Sequence, residues 1–236
     1  MKIKKLSALM AGATGAAAAF YYGFFREWML TWGSTEAERS MALPGDEMIT
    51  DGVKSKINMT QAITIDAPPE TVWPWLAQMG QDRAGWLSYD WLERLCGFGI
   101  TNVYRIVPEW QDIKAGDAFK VHQNGLIFQI AGVEKNKHII TLIDPARPAP
   151  NLKPGQWEFF LPKFLKFPIV VVWSFHLIPL PGGKTRFIAR GLADYPKLNP
   201  ILNFFVEVVG GVSSCIMQIG MCRGLKACAE GTHPSL

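Results

Sequence analysis

Hydrophobic and polar positions change their spacing several times along the chain, and each change marks an element. Residues 6–25, LSALMAGATGAAAAFYYGFF, carry no charge and lie between Lys2, Lys4, Lys5 and the Arg26-Glu27 pair. As a helix this run would reach about 30 Å, the thickness of a bilayer core. The lysines ahead of it and the aromatics Phe20, Tyr21, Tyr22 and Phe24 at its end predict an N-terminal membrane anchor over residues 1–30, with the domain on the non-cytoplasmic side. A cleaved secretory leader, which would leave the domain secreted or periplasmic, and a packed soluble helix are the competing expectations. The bulky residues that follow Ala16, Ala17, Ala18 and Ala19 count against cleavage there.

Residues 31–58 read as a polar connector. Within it Ser34-Thr35-Glu36-Ala37-Glu38 can cap and begin a turn of helix, and Leu43-Pro44-Gly45-Asp46 ends one. The domain proper is expected over 59–230, with 231–236 as a tail. Gln61-Ala62-Ile63-Thr64-Ile65-Asp66 alternates as a strand. Pro68-Pro69-Glu70 then opens a helix carrying Val72, Trp73, Leu76 and Met79 as its apolar stripe. A second short helix, Ser88 to Leu95, sits between Gly85 and Gly97. Extended runs follow at 102–107, 117–122, 125–133, 137–143, within 156–178, and at 185–192, the last two joined through Pro179-Leu180-Pro181-Gly182-Gly183. A helix from about Pro200 to Ala229 closes the chain. Glu207 is its one charge before Arg223, so most of its circumference must be covered. This order predicts an α+β domain, a curved antiparallel sheet wrapped around the long C-terminal helix. Aromatic residues on both partners leave either a filled core or a chamber between them.

Composition narrows the function classes. The chain has 236 residues, 49% hydrophobic and 19% charged, which suits one domain with a real core and excludes intrinsic disorder. Four cysteines are too few for a disulfide scaffold, and no cysteine–histidine spacing of a metal site occurs. No metal or cofactor is therefore expected. The formal charge of +4 owes three units to Lys2, Lys4 and Lys5, so the body is close to neutral and nucleic acid is not expected as a partner.

The run Ile65-Asp66-Ala67-Pro68-Pro69-Glu70-Thr71-Val72-Trp73-Pro74-Trp75-Leu76 resembles the opening of the START-like superfamily, also called SRPBCC or Bet v 1-like, which includes polyketide cyclases. Gln78-Met79-Gly80-Gln81-Asp82-Arg83-Ala84-Gly85-Trp86, Ser88-Tyr89-Asp90-Trp91-Leu92-Glu93, Arg105-Ile106-Val107-Pro108-Glu109-Trp110-Gln111, Gly116-Asp117 and Trp173-Ser174-Phe175 resemble an uncharacterised bacterial branch of it, over about residues 32–230. The resemblance implies a helix-grip fold, in which a seven-stranded curved sheet and the C-terminal helix enclose a cavity. Its members bind lipids, sterols or polyketides, and some are cyclases, oxygenase subunits or carriers. The oxygenase option requires an iron motif that this sequence lacks. No catalytic residue of the branch carries over.

Candidate site residues follow from charge within apolar surroundings. Arg83, covered by Trp86, can anchor a carboxylate or phenolate end of a ligand; an Asp82–Arg83 pair pinning the turn is the plainer reading. Tyr89 and Asp90 raise the same question on the second helix. Trp110 is a further ligand contact, near an expected Arg105–Glu109 loop pair. His176 shares a strand face with Ser174, opposite Trp173 and Phe175, and can serve as a general acid or base if that face lines a chamber. A satisfied wall histidine is the alternative. Arg190 and Glu207 are expected as a buried pair near the ligand. Phe159, Phe160, Phe164 and Phe167 with Lys163 and Lys166 have the composition of a membrane-surface element, or of a lid. The functional expectation is binding or carriage of a hydrophobic small molecule (a lipid, isoprenoid or polyketide) in an internal cavity at a membrane, with membrane lipid as a second partner. The alternatives are a polyketide-type cyclase or dehydratase, with His176 or Asp90 as base and Arg83 or Tyr89 stabilising an enolate, and a structural membrane-associated domain without ligand.

Overall fold

A computed structural model describes residues 12, 15–16, 19–49, 56–95, 97, 99–123, 127–147 and 169–234. An N-terminal helical stretch passes through a π-helical turn, Tyr21–Phe25, into α1 (Arg26–Leu30). The connector holds α2 (Glu36–Ser40), which starts as the sequence predicts: Thr35 is its N-cap, and Thr35 and Glu38 form a reciprocal capping box. The domain then runs β1 (Ile57–Ile65), α3 (Pro69–Ala77), α4 (Asp90–Leu95), β2 (Ala118–Lys120), β3 (Ile127–Glu134), β4 (His138–Ile143), β5 (Val170–Leu180) and β6 (Lys184–Asp194). It closes with the long helix α5 (Pro200–Ala229), which carries a π-helical stretch at Phe205–Gly210.

The six strands among the described residues form one antiparallel sheet in the order β1-β6-β5-β4-β3-β2. It curves against α5 in a helix-grip, Bet v 1-like arrangement. Alternation along each strand assigns the faces. On the concave side Ile65, Phe175, Phe187 and Ala189 pack with Leu76 of α3 and with Cys222 and Leu225 of α5. The N-terminal helix joins this side, where Met29 and Leu30 bury against Cys215 of α5.

The convex face is not left to water. Leu43 packs on Ala62 and Ile188, and Ile49 packs on Ile140, Val172 and Leu192, so the connector straps the back of the sheet. Two arginines on β6 fasten it. Arg186 pairs with Glu38 through Nε at 2.6 Å and Nη2 at 2.9 Å, and also donates to the Gly33 carbonyl. Arg190 is buried and donates to Asp46, to the carbonyls of Glu38 and Met41, and to the Thr60 hydroxyl. Arg186, helped by the Thr35 hydrogen bonds, holds the Glu38 carboxyl down to about 2, against the opposing pull of partial burial.

Three sequence expectations need correction or limit. Residues 102–107 form no strand, because the side-chain amide of Gln78 takes the place of a neighbouring strand: its Nε2 donates to the Arg105 carbonyl and its Oε1 accepts from the Val107 amide. The membrane-spanning expectation also falls. Among the described residues, the helix long and apolar enough to cross a bilayer is Pro200–Ala229, not an N-terminal one. The C-terminal half of that helix is built into the core through Cys215, Ile219, Met221, Cys222 and Leu225. Residues 159–167, read as a membrane-surface element, lie outside the described residues.

Candidate functional site

Between the concave face and the middle of α5 lies a cavity of about 590 Å³. That volume falls within the usual range for small-molecule sites. The wall is mainly apolar, with Met59, Trp86, Phe128, Val171, Trp173 and Met221 contributing from five separate parts of the chain. Trp86 and Trp173 meet with ring centroids 5.4 Å apart, and Phe119 packs edge-on to Trp86 at 5.4 Å. These rings make a rigid apolar floor.

Few polar side chains reach the wall. Gln218 is already engaged: its Oε1 accepts from Trp173 Nε1 at 2.7 Å and its Nε2 donates to the Ala189 carbonyl at 3.4 Å. His122 lies 3.2 Å through Nε2 from the Gly97 carbonyl. Ser213 donates to the Gly210 carbonyl within α5. Glu93 differs from all of these. It lines the cavity, is 1% exposed, and among the described residues neither carboxyl oxygen has a partner at hydrogen-bond geometry. Burial, reinforced by the neighbouring Asp90 charge, pushes its pKa up to about 7; the nearby Asn102 amide, placed to hydrogen-bond it, and the Arg94 charge pull the other way.

The local structure that delivers Glu93 is built from small residues and one asparagine. Gly220 and Gly224, one turn apart on α5, let the segment before α4 press onto the helix. A Cβ at Gly224 would fall 1.7 Å from the Leu87 carbonyl oxygen, and one at Gly220 2.6 Å from Ser88 Oγ. Ser88 Oγ donates to the Met217 carbonyl at 2.9 Å. Leu87 takes a left-handed φ of 53°, and Asn102 stabilises that turn. Its Oδ1 accepts from the amides of Trp86 at 2.9 Å and Leu87 at 2.7 Å, while its Nδ2 donates to Asp90. Trp86 and Glu93 are thereby aimed at the same cavity. On α4 the usual pattern is inverted: Trp91 and Leu95 are exposed, and the charged Glu93 is inside.

Of the candidate site residues within the described part of the chain, Trp86 is in the cavity wall and the others are not. His176 and Ser174 do share a face, but it is the convex one, as Trp173 and Phe175 point to the core. His176 Nε2 sits 2.9 Å from Ser174 Oγ, and burial, with His138 and Arg190 nearby, drives its pKa down to about 3. It is the satisfied wall histidine rather than a group in the chamber. Arg190 pairs with Asp46 on the convex side, not with Glu207. Glu207 accepts through its backbone carbonyl from the Tyr21 hydroxyl at 3.0 Å. Arg83 donates to the carbonyls of Ala77 at 3.2 Å and Trp110 at 3.4 Å, and Asp82 pairs with Lys120 at 2.8 Å instead of with Arg83. Tyr89 packs beside Gly220 and its hydroxyl accepts from Arg223 at 3.1 Å. Asp90, partly exposed, accepts from Asn102 and lies 3.9 Å from Arg94. Glu93, the group that does face the cavity, was one letter of the Ser88–Glu93 motif and carried no signal of burial. No metal-ligating cluster occurs among the described residues.

No family model matches the chain, and no curated protein matches it. Solved structures do. A crystal structure of a Nitrosomonas europaea protein matches at 14% identity over 78% of this chain and 100% of that one, with a TM-score of 0.42. A Chromobacterium violaceum protein matches at 16% identity over 73% and 96% of the two chains, TM-score 0.37. A Mesorhizobium loti protein matches at 16% over 74% and 98%, TM-score 0.33. At these identities and scores the likeness assigns neither a family nor a function.

Proposed function

We propose that the chain is a START-like helix-grip protein that binds a hydrophobic small molecule (a lipid, isoprenoid or polyketide) between its sheet and its long helix. The observation that carries this reading is the roughly 590 Å³ apolar cavity with one unpartnered buried carboxyl in its wall. The pocket opens along α5 at Gly210 and Ser214, which are exposed, and an apolar ligand seated in it would cover wall surface that otherwise meets water. Acid–base turnover is the second reading, favoured by the Glu93 pKa of about 7, a value suited to proton transfer near neutrality. Binding is preferred because Gln218, His122 and Ser213, the polar groups at the wall with recorded partners, are engaged within the protein.

Membrane lipid is the proposed source of the ligand. Phe204 and Phe205 on the N-terminal half of α5 are exposed, as are Phe20, Phe24 and Trp28 on the N-terminal helix. The Tyr21–Glu207 hydrogen bond ties these two helices together. The same stretch of α5 supplies Gly210 and Ser213 to the cavity wall, so the apolar surface adjoins the cavity. Replacing Phe204 and Phe205 by serine is expected to lower co-sedimentation with phospholipid vesicles several-fold; unchanged co-sedimentation would contradict the lipid source.

The binding function is tested by purifying the full chain in mild detergent, denaturing it, and identifying by mass spectrometry the compounds released. One apolar compound at near-stoichiometric amount is the expected result. Bulk phospholipid alone would count against a tight binder.

A further inference from the structure

A carboxyl group facing an apolar cavity with nothing to bond restricts what can fill that cavity. Glu93 reaches the cavity from α4, which is fixed to α5 through Gly220, Gly224 and Ser88 and to the 99–107 segment through Asn102. Its side chain is therefore held where it is, and among the described residues neither of its oxygens has a partner at hydrogen-bond geometry, the Asn102 amide being the polar group closest to supplying one. A buried polar group left unsatisfied is strongly unfavourable, and a buried charge more so. The charged or titratable groups around it are Asp90 and Arg94 on its own helix, Tyr104 beside it, and His122 on the cavity wall. Asp90 adds negative charge, and Arg94, largely in solvent, offsets little of it.

Resting on the ligand-binding reading above, we infer that Glu93 selects the ligand's head group: the cavity takes an amphiphile whose polar end donates a hydrogen bond and carries no negative charge, such as a hydroxyl or an amine, and rejects a carboxylate. A hydroxyl satisfies the carboxyl in either protonation state, because it both donates and accepts. An ammonium pairs with the ionised form. A carboxylate of equal chain length meets the buried Glu93 oxygens and the neighbouring Asp90 charge, where like charges repel more strongly than in open water. The arginine that the sequence suggested as a carboxylate anchor, Arg83, is spent on backbone carbonyls, and among the described residues no lysine or arginine lines the cavity to reverse the preference.

The test uses three ligands that differ only at the head. The neutral fluorophore N-phenyl-1-naphthylamine is bound to the full-length protein and displaced at pH 8 by dodecanol, dodecylamine or dodecanoate, all below their aggregation concentrations. Wild type is expected to release the probe to dodecanol and dodecylamine at concentrations about tenfold or more below those needed with dodecanoate. In Glu93→Gln the amide can donate as well as accept, so the dodecanoate penalty is expected to shrink to within about threefold. Glu93→Leu, which removes the polar group altogether, is expected to weaken dodecanol and dodecylamine while leaving the fluorophore bound. Equal displacement by all three ligands in wild type would overturn the inference, as would a head-group ranking that Glu93→Gln leaves intact. Failure of wild type to take up the fluorophore at all would instead overturn the ligand-binding reading on which it rests. Uptake by each variant also reports that it has folded.

Discussion

Arg190 and Glu93 are almost equally withdrawn from water, at 3% and 1% exposed, yet the two sides of the sheet treat them in opposite ways. On the convex face Arg190 donates to a carboxylate, a hydroxyl and two or more carbonyls, and Arg186 beside it is held by Glu38 and Gly33. On the concave side Glu93 has no partner at hydrogen-bond geometry among the described residues, and the cavity lies in front of it. Burial alone thus says little about role. A buried charge with its partners in place fastens one segment to another, whereas a buried charge without them next to a cavity marks a candidate functional site.

The comparison can be broken most easily at the convex lock. Arg190→Ala removes a cluster of bonds at once and leaves Asp46 only the Leu43 amide, so a loss of about 3–5 kcal/mol in urea-unfolding stability is expected. A loss below about 1 kcal/mol would mean that the connector is not fastened there. Next in size is Gly224→Ala on the concave side. Its Cβ collides with backbone, which cannot swing away as a side chain can. The Leu87 turn must shift and carry Trp86 and Glu93 with it, for an expected cost of about 1–3 kcal/mol and weakened fluorophore binding.

The pH dependence should distinguish the two faces by sign. Glu38 has its folded-state pKa lowered to about 2, so its stabilisation is present above the usual carboxylate range and is lost as pH falls through that range toward 2. His176, lowered to about 3, also disfavours the fold in acid, because the unfolded chain takes up its proton first, between about pH 6.5 and 3. Glu93 runs the other way. Its folded pKa of about 7 lies above the unfolded value, so its contribution is intact below the usual carboxylate pKa and is lost as pH rises toward and through 7. Glu93→Gln is therefore expected to stabilise the ligand-free protein by about 1–2 kcal/mol at pH 8 and to change it little at pH 4. Chemical denaturation at both pH values checks this, and equal effects would remove the case for an unsatisfied carboxyl. The smallest effect belongs to His176→Gln. It alters the convex face and its stability by about 1 kcal/mol, but fluorophore affinity should stay within about twofold. A tenfold loss would put His176 back in the binding machinery.

Much of the architecture was legible because it rests on periodicity. The α3 stripe, the β3–β4 and β5–β6 hairpins and the α5 boundaries follow from local spacing. Residues 102–107 misled because extended backbone alternates whether or not a strand lies beside it, and the substitute partner was a glutamine side chain about 27 residues away. The alternation of β5 correctly put His176 with Ser174 but could not say which face the helix covers. The convex lock was hidden for a different reason: Asp46 and Arg190 are 144 residues apart, and a connector whose apolar residues are isolated, such as Leu43 and Ile49, looks solvated. Glu93 was hardest to see. With Trp91 and Leu95 on the opposite side, local amphipathicity turns α4 the wrong way round, and only the glycine groove on α5 fixes its true orientation.

The most direct measurement is titration of N-phenyl-1-naphthylamine into full-length protein while tryptophan emission is followed, with Met217→Trp as the comparison. Met217 lines the cavity and its replacement by the larger ring fills space there. Saturable one-to-one binding that quenches Trp86 and Trp173 in wild type, and is lost in a folded Met217→Trp, is the predicted result. No saturable binding, or binding that the filled cavity leaves unchanged, would contradict the account.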